Sequence, residues 1–286
     1  MMTSFVYALM CLAITANEAK LESLTEDQAF AILIDNKARW DASTRTLTIT
    51  GAGDFTRDHL RMLRSVPIVR TLHIRYTLCD DDLVCLRELG QLHKLMLTGR
   101  QFTDMAIVHV AAMPSLTELE LEGCRLTAKG VGSLAEIEHL KSLSIDVKSL
   151  SRPAILKLKS LPSLRVLTIR HTSSVAGLSG CTQLRVLRLD AVDRTSLTID
   201  ELVDQLGDLK QLERLSLSVI EKEVLPLSAG NWFAPEFGAG RFVATARYPL
   251  YDQLTTALPD TEVSIEFERK TMTFRRRGGH GTLTFR

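Results

Sequence analysis

No apolar run in the chain approaches the ~18 residues needed to cross a bilayer, and aromatic residues make up only 6% of it. Five cysteines in 286 residues are too few for a disulfide-built scaffold. Neither charge dominates, with 35 basic against 34 acidic side chains, so nothing in the global balance draws the chain toward nucleic acid or membrane. What is abundant is aliphatic: hydrophobic residues reach 45% and charged residues 24%, enough to bury a sizeable core and too apolar for disorder.

Phe5 to Ala16 is a 12-residue stretch without charge, followed by Asn17, Glu18 and Lys20. Its length suits a signal-peptide core, whereas the missing Lys or Arg before it and the Ile14/Ala16 pair at the cut suit one poorly. Two expectations stand: export to the periplasm, envelope or exterior, or a buried N-terminal helix in a cytoplasmic protein. Cys79, Cys85, Cys124 and Cys181 form no CxxC pair and have no histidine at zinc-ligand spacing, so buried free thiols are expected.

A segment of form L-x-x-L-x-L recurs through most of the chain: Val69-Leu72-Ile74, Leu92-Leu95-Leu97, Leu116-Leu119-Leu121, Leu140-Leu143-Ile145, Leu164-Leu167-Ile169, Leu184-Leu187-Leu189 and Leu212-Leu215-Leu217. Leu47-Ile49 is a first partial copy. The central residues step by 25, 23, 24, 24, 24, 20 and 28 positions. Such a register predicts one short strand per repeat and a return segment, each unit needing a stacked neighbour to bury its apolar side. Leu119 and Leu121 alternate with Glu118, Glu120 and Glu122, the period-two signature of a half-buried strand. Ile107 and Val110, Val131 and Leu134, and Ile155 and Leu158 recur at helical spacing and predict the return helices. Pro67, Pro114 and Pro162 each stand five residues before a central strand residue, where a return helix must end.

The segment LTELELEGCRL (Leu116–Leu126) resembles the consensus of leucine-rich-repeat proteins, with Cys124 at their Asn-or-Cys position. The 24-residue period and the turns FTDMAI and LTAKGV resemble the ribonuclease-inhibitor-like and cysteine-containing subclasses and their bacterial relatives. The likeness covers about 45–218. It implies an α/β fold, a curved leucine-rich-repeat solenoid or horseshoe with a parallel β-sheet on the concave face and helices on the convex face. Thr77 and Thr172 also suit the polar ladder position, whereas Ala52, Arg100, Lys148 and Val192 do not. The expected organisation is a signal or apolar helix (1–20), an N-terminal capping region (21–44), about eight repeats (45–222) and a divergent C-terminal cap with a basic tail (223–286). Thr25 is placed to cap a helix over Leu24–Asn36; Pro249–Leu258 reads as a helix, Thr261–Phe267 as a strand two repeat lengths beyond the last, and Thr271–Arg286 as a hairpin.

No catalytic motif is present: neither GxxxxGK[ST], GxSxG, HExxH nor a GxGxxG after a strand. His73 and His93 occupy different frame positions, and Asp80-Asp81-Asp82 opens a return helix, where carboxylates cap free N–H groups more readily than they gather a metal. No catalytic residue, cofactor or metal is therefore expected. The outward strand positions carry the functional expectation. They offer Arg70, His73 and Arg75, then Lys94 and Met96, then Glu118, Glu120 and Glu122, then Arg165, Arg170, Arg185 and Arg188. That surface, basic then acidic then mainly basic, predicts a non-enzymatic protein binding a protein partner through the concave sheet by charge and shape. Neighbouring like charges such as Arg165 and Arg185 should repel, while Arg170 and Asp190 can pair. Trp232 and Phe233 form a second candidate contact, in an aromatic block of a kind that more often plugs the end of the repeats. Two alternatives remain: a substrate-recognition module of an enzymatic assembly, by analogy with F-box-type repeats, and association with anionic polymers or envelope through Arg269, Lys270, Arg275, Arg276, Arg277 and Arg286. Nucleic acid is the less favoured partner, because that tail lacks a groove-reading element.

Overall fold

Alternation of apolar residues in each L-x-L triplet sends every second side chain to one side of a strand, and the computed structural model shows where those columns go. It describes residues 23–51, 55–75, 78–146, 152–171, 175–193, 199–220 and 249–267. The chain divides into two units, 1–126 and 127–286.

In the first unit Thr25 caps the helix Glu26–Asp35 through a capping box with Gln28, and Ala29 and Leu33 face inward. Phe30 and Trp40 meet edge to face at 5.4 Å. Strand β1 (Arg39–Asp41), which periodicity gave no sign of, pairs antiparallel with β2 (Thr46–Ile49). The Asp41 carboxylate closes their turn by accepting from Ser43 and Thr44, and these hydrogen bonds hold it below its ordinary pKa. Strands β3 (Thr71–Arg75), β4 (Lys94–Thr98) and β5 (Glu118–Glu122) follow in parallel. Leu47, Leu72, Leu95 and Leu119 are Cα partners in turn, so the frame read from the sequence is the hydrogen-bonded register. These four leucines and the Ile49, Ile74, Leu97 and Leu121 column are at most 2% exposed. Each such side chain contributes ~1.5–3 kcal/mol by leaving water.

In the second unit β6 (Ser142–Asp146), β7 (Val166–Arg170), β8 (Val186–Asp193), β9 (Arg214–Ile220) and β10 (Glu262–Phe267) pair parallel in that order. Leu143, Leu167, Leu187, Leu215 and Val263 form the matching column. β10 stands in register with β9 although 48 residues separate their central positions, and the helix Pro249–Ala257 precedes it.

Return segments lie against one side of each unit's sheet. Asp104–Ala111 is a helix in which Ile107 and Val110 are buried; Ala128–Ser133 and Arg152–Leu158 are the corresponding helices of the second unit. Not every return is α-helical: Asp80–Glu88, expected as a helix, is a nine-residue 3₁₀ run. Repeat length accounts for the shortest return. The 20-residue step from Leu167 to Leu187 leaves room only for the three-residue 3₁₀ turn Leu178–Gly180, entered through Gly177 at φ +101°, where an added Cβ would lie 3.0 Å from Leu156. The 28-residue step to Leu215 accommodates the α-helix Ile199–Leu206. After each return a turn leads to the next strand; the Val69 N–H donates to Val66 and that of Leu92 to Leu89. Pro67 occupies the second position of the first of these turns, where its fixed φ is favourable.

Candidate functional site

The side of each sheet opposite the returns carries the outward residues. In the first unit several of them form a linked electrostatic set. Lys94 on β4 reaches Glu120 at 2.6 Å and Glu118 at 3.5 Å on β5. Burial works to lower the Lys94 ammonium, and the two carboxylates outweigh it, so its pKa is raised. The charges of Glu118 and Glu120 are thus balanced from the neighbouring strand. Thr98, only 3% exposed, links two more of the expected residues: its hydroxyl lies 3.0 Å from His73 Nε2 and donates to Glu122 at 3.3 Å. The single hydroxyl proton is committed to Glu122, so Nε2 of His73 carries a hydrogen and donates to Thr98. Burial, and then the neighbouring Arg75, lower the His73 pKa against the pull of Glu122 and Glu120. Met96 is half-buried beside His73 in the strand register. Arg70, exposed at the strand entry, donates to the Gln91 carbonyl at 3.2 Å.

In the second unit Arg188 pairs with Asp190 of its own strand at 2.8 Å. Arg170 stands opposite Asp190 in the register, beside the carboxylate that Arg188 meets along β8. Arg165 and Arg185 do occupy adjacent strand entries, as expected, but each has local relief. Arg165 Nη1 donates to the Pro162 and Leu164 carbonyls at 3.2 and 3.0 Å, and Arg185 meets Glu213 at 2.6 Å. Between these cations the outward side chains are short: the hydroxyls of Ser142, Ser144, Thr168 and Ser216, with Val166 and Val186 next to Arg165 and Arg185, all half-buried. The expected contact residues Trp232 and Phe233, and the basic tail, lie outside the described residues.

Two further interactions are not legible in the sequence. His171 Nδ1 sits 2.9 Å from Asp146, a contact invisible without knowing that His171 follows the strand beside β6. Asp80 accepts from the Thr103 N–H at 2.9 Å and also from its hydroxyl, tying the 3₁₀ run to the next return helix. Asp82 instead takes the Cys79 N–H at 2.9 Å in the capping role expected of the acidic run. Cys124 donates to the Leu97 carbonyl at 3.5 Å from a buried position, forming the ladder contact that its frame position implies. Thr77 and Thr172, its expected counterparts, fall outside the described residues. Cys85 and Cys181 are buried and their thiols are pushed up to about 11, which makes them poor nucleophiles at neutral pH. Cys79, expected to be buried, is exposed, because it caps the 3₁₀ run at the surface rather than facing the core. Among the described residues no three His, Cys, Asp or Glu side chains gather as a metal site.

Registered parallel strands, one per repeat, with a return segment after each and a leucine column beneath, define an α/β leucine-rich-repeat fold. No family model matches the chain, and no curated protein matches it. Similar solved structures include two leucine-rich-repeat proteins. One is an internalin from Listeria monocytogenes, with TM-score 0.37 and 21% identity over 55% of this chain and 44% of that one. The other is the TLR13–ssRNA13 complex, with TM-score 0.47 and 18% identity over 87% of this chain and 32% of that one. Both are leucine-rich-repeat proteins, and the chain spans less than half the length of either. Among the described residues no helix is long and apolar enough to cross a membrane.

Proposed function

We propose that the chain is a non-enzymatic interaction protein that binds a protein partner through the open faces of its sheets. One observation carries this reading: outward side chains on successive strands are already held by their neighbours, as in Lys94 with Glu118 and Glu120 and in Arg188 with Asp190. Charged groups fixed before binding lose little freedom when a complementary surface arrives, so an ordered polar face favours specific association. The 24-residue period and the Cys124 contact support assignment to the ribonuclease-inhibitor-like or cysteine-containing subclass. The uncharged Phe5–Ala16 stretch supports export. The organisation proposed is a leader, a cap, repeats and a divergent C-terminal cap. The alternative through the basic tail rests on 269–286, outside the described residues.

The test is capture from native extract with three baits: the natural chain, Glu118→Lys on the first unit and Arg188→Glu on the second. A protein retained by the natural chain and lost from at least one variant with an unchanged melting temperature is the expected result. Identical retention on all three baits overturns the reading.

A further inference from the structure

The strand entries of the second unit form a column of cations. Lys141, Arg165 and Arg185 each stand two residues before the central leucine of their strand, and the backbone clamps them in line. The Arg165 N–H donates to the Lys141 carbonyl and the Arg185 N–H to the Arg165 carbonyl, both at 2.9 Å. Three exposed side chains therefore rise from rungs about 4.8 Å apart, a spacing at which like charges repel.

That repulsion is eased without being neutralised. The acceptors of Arg165 are the neutral carbonyls of Pro162 and Leu164, which orient the guanidinium and leave its charge intact. Among the described residues no carboxylate lies within ion-pair distance of Lys141 or Arg165. Arg185 has Glu213, but the two side chains are 51% and 62% exposed, so water screens the pair and a competing carboxylate can replace it. On β6 to β8 the carboxylates of Asp146 and Asp190 are held by His171 and Arg188. Beside the column lie the short, half-buried side chains of Ser142, Val166 and Val186, which leave an incoming chain room to approach. The first unit has a related entry column in Arg45, Arg70 and His93, but its third rung is a histidine and the next strand, β5, presents three carboxylates.

We propose that this entry edge of the second unit binds an extended acidic segment of a protein partner, whose carboxylates run across the strands to meet Lys141, Arg165 and Arg185 in turn. This rests on the reading of the open faces as protein-binding. Successive residues of an extended peptide advance about 3.3 Å and alternate residues about twice that; long, flexible cationic side chains bridge these steps to the 4.8 Å rungs. Guanidinium groups pair with carboxylates through two parallel hydrogen bonds, and Ser and Thr hydroxyls suit peptide N–H and C=O groups. A peptide is favoured over nucleic acid because no Phe, Tyr or Trp stands among the described open-face residues of this unit to stack a base, and the ring of His171 is tied to Asp146.

The experiment titrates the full chain into fluorescein-labelled peptides of alternating Glu and Ser, and of alternating Gln and Ser, with single-stranded DNA and polyphosphate as competitors. Salt-sensitive binding of the Glu peptide alone is expected. The double variant Lys141→Glu/Arg165→Glu should weaken it by about tenfold or more, with Lys129→Glu/Lys157→Glu on the return helices, an equal change of net charge, staying within about twofold. Melting curves establish that both variants fold. Equal weakening in the two variants, or no binding of the Glu peptide, overturns the proposal. So does displacement by DNA or polyphosphate at lower charge concentration than by unlabelled Glu peptide, which would assign the edge to a polymeric anion. If Arg188→Glu loses the native partner and the Glu peptide still does not bind, the open-face reading stands and the acidic segment falls; if neither is seen, both fall.

Discussion

The two units bury the same column of leucine and isoleucine but hold their outward residues in different ways. In the first, Lys94 answers Glu118 and Glu120 across β4 and β5, and Thr98 joins His73 to Glu122. In the second, Arg188 is paired along its own strand, Arg165 rests on turn carbonyls and the floor mixes hydroxyls with Val166 and Val186. Stacking constrains only alternate residues, since every buried position must match its neighbour in the register, whereas the outward ones are free to diverge. One face has become an internally satisfied network and the other a surface with cationic capacity to spare.

The largest effect should be the one that the two units share. Leu95→Ala in the first and Leu167→Ala in the second each empty a fully buried position and should cost ~3 kcal/mol in denaturant unfolding. A gap between them above ~1.5 kcal/mol would show that the cores are not equivalent. Removing one hydroxyl should separate the units. Thr98→Val strands both His73 and Glu122 and should cost ~1–2 kcal/mol, against a few tenths, roughly, for Thr168→Val on the other face, where no such bridge exists; equal costs would remove the network from the account. Smaller still is the effect of neutralising a cation. Lys94→Gln leaves Glu118 and Glu120 facing each other and should lose ~0.5–1 kcal/mol, whereas Arg185→Gln, whose exposed pair is screened, should be near zero. A reversed order in the melting temperatures would sink that distinction.

Acid sensitivity sharpens the same contrast. Burial and Arg75 depress the His73 pKa below 6.5, so the unfolded chain takes up this proton more readily than the folded one. The contribution is therefore fully present above pH 6.5 and is lost as pH falls below that value. His59, also in the first unit, is shifted the same way, mainly by burial. Unfolding free energies at pH 8 and pH 5.5 should fall further apart in the natural chain than in His73→Asn. An identical fall in both would assign the acid response elsewhere.

Much of the architecture is legible in the residue order, because burial imposes a period and the period repeats. Leu47, Leu72, Leu95 and Leu119 pair in the order in which they recur, and the proline of the Val66–Val69 turn stands where a return segment must stop. The capping role of Thr25 was readable because the acidic Glu26 and Asp27 follow it and Ala29, Ile32 and Leu33 recur beyond at helical spacing, whereas its pairing with Gln28 is seen in the structure. Strand β1 was not, since three residues, Arg39-Trp40-Asp41, are too short to show an alternation. The 3₁₀ character of Asp80–Glu88 was also hidden, since helical spacing of apolar residues does not distinguish a tight return from an α-helical one.

The candidate face was legible only as a set of positions. Sequence placed His73, Lys94, Glu120 and Arg188 outward, because a period of two leaves no other place for them. It could not say that Lys94 would choose Glu120, that Thr98 would stand buried between His73 and Glu122, or that His171 would meet Asp146. Those contacts join residues about one repeat apart, and they depend on strand stagger and side-chain rotamer. The repeat and its buried column were thus determined by the sequence alone, since the hydrophobic effect acts on composition and spacing. Which charges neutralise one another and which stay available to a partner was decided only in the tertiary structure, because hydrogen bonds and ion pairs depend on distances of a few ångströms that spacing in sequence does not set.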